Sequence, residues 1–173
     1  MYNKWEKIYF EKGLMMKTNT CCFIGHRAIF ESEKLNLKLF EVVEKLIVNK
    51  NVDTFLFGSK SRFNTIALNT VTKLKEKYPH IKRVYVRAEY PYISESYKKY
   101  LLQDYEDTYY PEKIRRAGKA VYIERNYEMI DNSCFCVMYY DGKYFPENRK
   151  CGTKTALDYA RKHSKKIVNV ARI

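Results

Sequence analysis

The chain has 173 residues, 46% of them apolar and 31% charged, a balance that favours one folded domain over a disordered segment. No apolar run approaches the roughly 20 residues that span a bilayer, and "MYNKWEKIYFEKGLMMKTNT" carries charges throughout with no signal-peptide core, so a cytoplasmic location away from any membrane is expected. The formal net charge of +13 attracts anions, whether nucleic acid, phosphorylated small molecules or acidic surfaces, without choosing among them.

Residues 1–19 read as an N-terminal extension in which Trp5, Ile8 and Tyr9 have the spacing of a short helix. The folded domain is expected over residues 20–173. "TCCFIG" predicts a strand ended by glycine. "ESEKLNLKLFEVVEKLI" then places Leu35, Leu39, Val42, Val43 and Leu46 at helical spacing behind a capping Ser32. "VDTFLFG" predicts a second strand, and "FNTIALNTVTKLKEKY" a helix with Phe63, Ile66, Ala67, Thr70, Val71 and Leu74 on one face. "IKRVYVRAEY" predicts a third strand leading into a short helix, "SESYKKYLLQ".

"DYEDTYYPEKIRRAGK" shows no clear period and reads as a loop or irregular helix pair. "AVYI" predicts a fourth short strand, "RNYEMIDNS" a short helix or turn, and "CFCVMYY" a fifth strand. After the loop "DGKYFPENRK" comes a helix opened by "CGTKTALDYARKHSKK" and a last strand "KIVNVA". Strands spaced by helices imply a single-domain α/β fold, a Rossmann-like three-layer sandwich with a mainly parallel sheet and helices on both faces.

The five cysteines are an odd number without a CxxC or Cys/His cluster, so neither a disulfide framework nor a metal site is expected. Cys21, Cys22, Cys134 and Cys136 lie in apolar runs and read as small buried hydrophobes, whereas Cys151 adjoins a turn.

In parallel α/β folds ligands bind beyond the carboxyl ends of the strands. Four turns fall there: Gly25-His26-Arg27, Gly58-Ser59-Lys60, Asp141-Gly142 and Gly152-Thr153. Glycine permits close approach, open helix N–H groups cradle anions, and arginine offers a fork for phosphate. A charged His26 could donate from both ring nitrogens. There is no GxGxxG, no GxxxxGK[ST], no HExxH and no GxSxG, so standard dinucleotide, P-loop, zinc-protease and serine-hydrolase sites are excluded. No cofactor is expected.

"CCFIGHR", "FLFGSKSRFNTIALNTVTKLKEKYPHIK", "ERNYEMIDNSCFCVMYYDG" and "CGTKTALDYARKHSKKIVNV" together resemble the YpsA-like branch of the SLOG superfamily. That superfamily includes the LOG phosphoribohydrolases and the DNA-processing protein DprA. The resemblance implies a Rossmann-like domain for nucleotides or nucleotide-derived ligands. In LOG enzymes an arginine in a His-Glu-Arg-Lys stretch and a glutamate in Pro-Gly-Gly-x-Gly-Thr-x-x-Glu carry N-glycosidic cleavage. "YIERNYEM" is similar to the first, which makes Arg125 the matched candidate for catalysis, with Asn126 beside it. "KCGTKTA" matches the second at Gly152 and Thr153, but Ala156 stands at the glutamate's position.

Three functions therefore stay open. The first is a binding or sensing module in which Gly25, His26, Arg27, Gly58, Ser59, Arg125, Asn126, Asp141, Gly142, Gly152 and Thr153 hold phosphate and ribose, with Tyr90, Tyr92, Tyr139 or Tyr140 stacking on a base. The second is a phosphoribohydrolase using Arg125 and a carboxylate that no motif places. The third is single-stranded nucleic-acid binding by interleaved tyrosines and cations. A homodimer is expected by analogy with related folds.

Overall fold

The alternation of short apolar runs with amphipathic stretches builds a three-layer α/β sandwich, here described from a computed structural model that covers residues 19–144 and 151–171. The extension's Trp5, Ile8 and Tyr9 and most of the loop before Cys151 lie outside these residues. Six parallel strands form one sheet: β1 (Thr20–Gly25), β2 (Thr54–Phe57), β3 (Lys82–Val86), β4 (Asp107–Tyr109), β5 (Phe135–Tyr139) and β6 (Lys166–Asn169). The helices are α1 (Glu33–Lys50), α2 (Arg62–Lys77), α3 (Glu95–Leu101), α4 (Val121–Asp131) and α5 (Gly152–Lys162).

The strand order is β4-β3-β2-β1-β5-β6. The chain steps outward from β1 to β4, then returns to place β5 on the other side of β1, with Cys22 opposite Cys136 and Gly25 opposite Tyr139. The order thus reverses between β1 and β5, where loops leave the sheet in opposite directions and open a crevice.

Strand alternation divides the core. Cys21 and Phe23 face α1 and α2, with Leu35, Leu39, Val43, Ile66 and Val71 in the same cluster. Cys22 and Ile24 face the other way, against Met129 and Ile130 of α4 and Ala156, Leu157 and Ala160 of α5. Each fully buried large side chain contributes about 1.5–3 kcal/mol by leaving water. Serine caps start three helices: Ser32, Ser61 and Ser94 each accept from a backbone N–H in the first turn of α1, α2 and α3.

Two expectations along the chain need correction. "AVYI" is not a strand: Val121–Ile123 form the first turn of α4. A short apolar run has no period of its own, and here Tyr122 and Ile123 are 51% and 38% exposed, which a strand buried on both faces would not allow. The fourth strand lies instead in the stretch read as irregular, at Asp107–Tyr109, followed by 3-10 turns at Glu112–Ile114 and Gly118–Ala120. As a three-residue edge strand it needs no apolar run, and its Asp107 and Thr108 reflect that exposure.

Candidate ligand cavity at the strand ends

The carboxyl ends of β1, β2 and β3, with the N-terminus of α5 and one wall of α4, enclose a cavity of about 710 Å3, a size typical of small-molecule sites. Nine of the residues singled out from sequence line it: Gly25, His26, Arg27, Gly58, Ser59, Arg125, Asn126, Gly152 and Thr153. Asp141 and Gly142 are not among the lining residues. Asp141 acts one step back, through its backbone contact with His26.

Arg125 projects from α4 into the cavity wall and is only 3% exposed. Its Nε donates to Asn126 Oδ1 at 3.1 Å and its Nη1 to the Val86 carbonyl at 3.3 Å. Both partners are neutral, and among the described residues no carboxylate lies within salt-bridge distance of it. Burial pulls its pKa down, opposed by Tyr85, Glu89 and Tyr122 nearby, but a guanidinium keeps its charge in proteins. A buried cation with no carboxylate in contact is costly unless an anion joins it.

The glycines at the strand ends serve packing more than ligand approach. A Cβ on Gly25 would stand 2.4 Å from the Phe63 ring, and one on Gly58 would stand 2.5 Å from Met129 Sδ and 2.7 Å from Arg125 Nε. The backbone N–H groups of Gly58 and Ser59 both point to Asn64 Oδ1, at 3.3 and 3.4 Å. Asn64 Nδ2 in turn donates to the Phe23 carbonyl at 3.3 Å. α2 thus supplies an acceptor for these two N–H groups from within the fold.

The start of α5 is different. Cys151 takes the N-cap position with no side-chain capping bond, so the first-turn N–H groups lack intrahelical partners. Nothing stands within 4 Å of a Cβ position on Gly152. A helix dipole's positive end, with first-turn N–H groups that no described side chain caps, suits an anion. Arg27 and Lys60, both exposed, bring two further cations to the rim.

His26 is 4% exposed, and its Nε2 accepts from the Asp141 N–H at 3.1 Å. Its Nδ1 lies 3.8 Å from Cys151 Sγ. Burial holds His26 below the ordinary histidine range, with Asp141 working the other way.

Sequence reasoning missed Tyr85, Glu89 and Tyr122, which also line the cavity. The Tyr122 hydroxyl donates to Glu89 Oε1 at 3.2 Å. Glu89 lies three residues beyond the end of β3, so the strand-end rule would have found it had it been applied where no glycine marks the turn. Of the tyrosines proposed for stacking, Tyr92, Tyr139 and Tyr140 do not line the cavity. Tyr90 lines an adjoining one. Among the described residues no three His, Cys, Asp or Glu side chains group to hold a metal ion, and no helix is long and apolar enough to cross a membrane.

No protein-family model matches the chain. It is similar to the uncharacterized SPbeta prophage-derived protein YoqJ of Bacillus subtilis (strain 168), 32% identical over 147 residues that cover 75% of this chain and 81% of that protein. With that identity sustained over most of both proteins, the chain belongs to the same family as YoqJ.

Proposed function

We propose that the protein binds a nucleotide or nucleotide-derived ligand through its phosphate, as a binding or sensing module. The observation that carries this reading is Arg125: a guanidinium 3% exposed, with no carboxylate in salt-bridge reach among the described residues, on the wall of the cavity that the start of α5 also lines. The phosphate would sit between Gly152, Thr153 and Arg125, with Arg27 and Lys60 at the rim. The resemblance to the YpsA-like branch of the SLOG superfamily is part of the same proposal and favours a nucleotide over other phosphorylated compounds.

Phosphoribohydrolase activity is less well supported. The position matched to the LOG glutamate, Ala156, is 1% exposed and faces the packed core beside Ala160 and Met129. Equilibrium dialysis against nucleoside monophosphates tests the proposal. Wild-type protein is expected to bind, and Arg125→Ala to bind at least about tenfold more weakly. Nucleotide affinity unchanged by Arg125→Ala would sink the phosphate reading. Free base released by wild type and not by that variant would replace binding with turnover.

A further inference from the structure

The first cavity does not end at Arg125. A second, of about 520 Å3, shares Ala88, Glu89 and Tyr122 with it and continues past them. The two differ in chemistry. The first collects His26, Arg27, Lys60, Arg125 and the start of α5. The second is lined by Tyr90, Pro91, Tyr110, Ile114 and Val121, with one cation, Arg115, whose guanidinium already pairs with Glu112 and the Tyr92 hydroxyl. One end therefore suits an anion, and the other a flat, partly apolar ring that tyrosines can stack on.

At the junction stands Glu89, the one carboxylate among the described residues that line either cavity. In a site otherwise built for an anion, a carboxylate would repel a phosphate beside it, so it belongs where the ligand presents hydroxyl donors. A carboxylate only accepts, and has room for a vicinal diol on its two oxygens. Tyr122 already donates to Oε1, which orients the group.

We infer that Glu89 receives the ribose hydroxyls of a ribonucleotide whose phosphate lies at the start of α5 and whose base enters the tyrosine-walled cavity. This rests on the phosphate reading above and adds to it a substrate class: ribonucleotides, rather than deoxyribonucleotides or sugar phosphates without a base. Glu89 and Tyr122 act as specificity residues here. The Tyr122 ring borders the base, and its hydroxyl holds the carboxylate.

The test uses the full chain and isothermal titration with the four ribonucleoside 5′-monophosphates, their 2′,3′-dideoxy counterparts and ribose 5-phosphate. Wild type is expected to prefer the best ribonucleotide to its dideoxy form by about tenfold or more, and to prefer it to ribose 5-phosphate by a similar factor. Glu89→Ala should shrink the ribose preference, the ratio of ribo- to dideoxynucleotide affinity, to within about threefold. Tyr122→Phe should weaken the ribose preference while keeping the preference over ribose 5-phosphate. Both exchanges are at exposed positions, and circular dichroism confirms that the variants fold.

Equal affinity of wild type for ribo- and dideoxynucleotides, with binding still lost in Arg125→Ala, overturns the Glu89 assignment and leaves the phosphate reading intact. A ribose preference that survives Glu89→Ala overturns it as well. If none of the phosphate compounds binds wild type, both readings fall together.

Discussion

Arg125 lies across Gly58 so closely that a methyl group there would stand 2.7 Å from its Nε and 2.8 Å from its Cδ. The strand-end glycine and the buried arginine are thus one arrangement. The space left by the missing side chain at the end of β2 is what lets α4 send its cation into the cavity.

Gly58→Ala is therefore expected to displace Arg125 and Met129 together. The overpacking costs about 1–3 kcal/mol, read as a lower urea midpoint. Nucleotide affinity should fall with it, because the guanidinium moves. If affinity stays at the wild-type value, Arg125 does not need its observed position to bind.

Asn64 is buried and holds three backbone groups at once: the N–H groups of Gly58 and Ser59 and the Phe23 carbonyl. Asn64→Ala leaves all three without that partner, and stability is expected to fall by about 1–3 kcal/mol. Asn64→Asp retains the acceptor for the two N–H groups but loses the donor to Phe23, so its urea midpoint should lie between those of wild type and the alanine variant. An alanine variant as stable as wild type would show that these hydrogen bonds do not brace the turn.

His26 sets a pH dependence. Its pKa is held below the ordinary value near 6.5 by burial, so the unfolded chain binds its proton more readily than the folded one. The advantage of the neutral ring is full above the unfolded value and is lost as pH falls through the lowered folded value. Wild-type melting temperature should drop more than that of His26→Gln between about pH 7.5 and about pH 5. Parallel curves for the two proteins would show that His26 does not carry this dependence.

Ala156 provides a check on the comparison with phosphoribohydrolases. It is 1% exposed among Met129, Leu157 and Ala160, so Ala156→Glu places a carboxylate in the core rather than in the cavity. The variant is expected to lose on the order of 3–5 kcal/mol of stability and to release no free base. Base release by a folded Ala156→Glu protein would show that the position reaches the ligand after all.

Much of this was legible from residues alone. The serine cap at Ser32, the buried stripes of α1 and α2, the parallel sheet and the clustering of strand-end turns follow from turn chemistry and from the periods of helix and strand, which act over a few residues. "AVYI" went astray for the same reason, since four apolar residues have too short a period to separate a strand from a helix turn. The edge strand Asp107–Tyr109 was hidden because pairing with β3 on one side, rather than an apolar pattern, makes it a strand.

The sequence by itself determined that the chain is an α/β sandwich with Gly25, Gly58, Gly152 and Thr153 near its strand ends, because alternation and topology rules bring those ends together whatever the side chains do in detail; Arg125 was reached through the family resemblance. Only the tertiary structure decided what each group there is free to do. Asn64 takes up the N–H groups of Gly58 and Ser59, Asp141 engages one nitrogen of His26, the core buries Ala156, and Glu89 meets Tyr122 at the mouth of two joined cavities. These are contacts between residues distant in the chain, and hydrogen-bond directions and side-chain packing across that separation leave no periodic trace in the sequence.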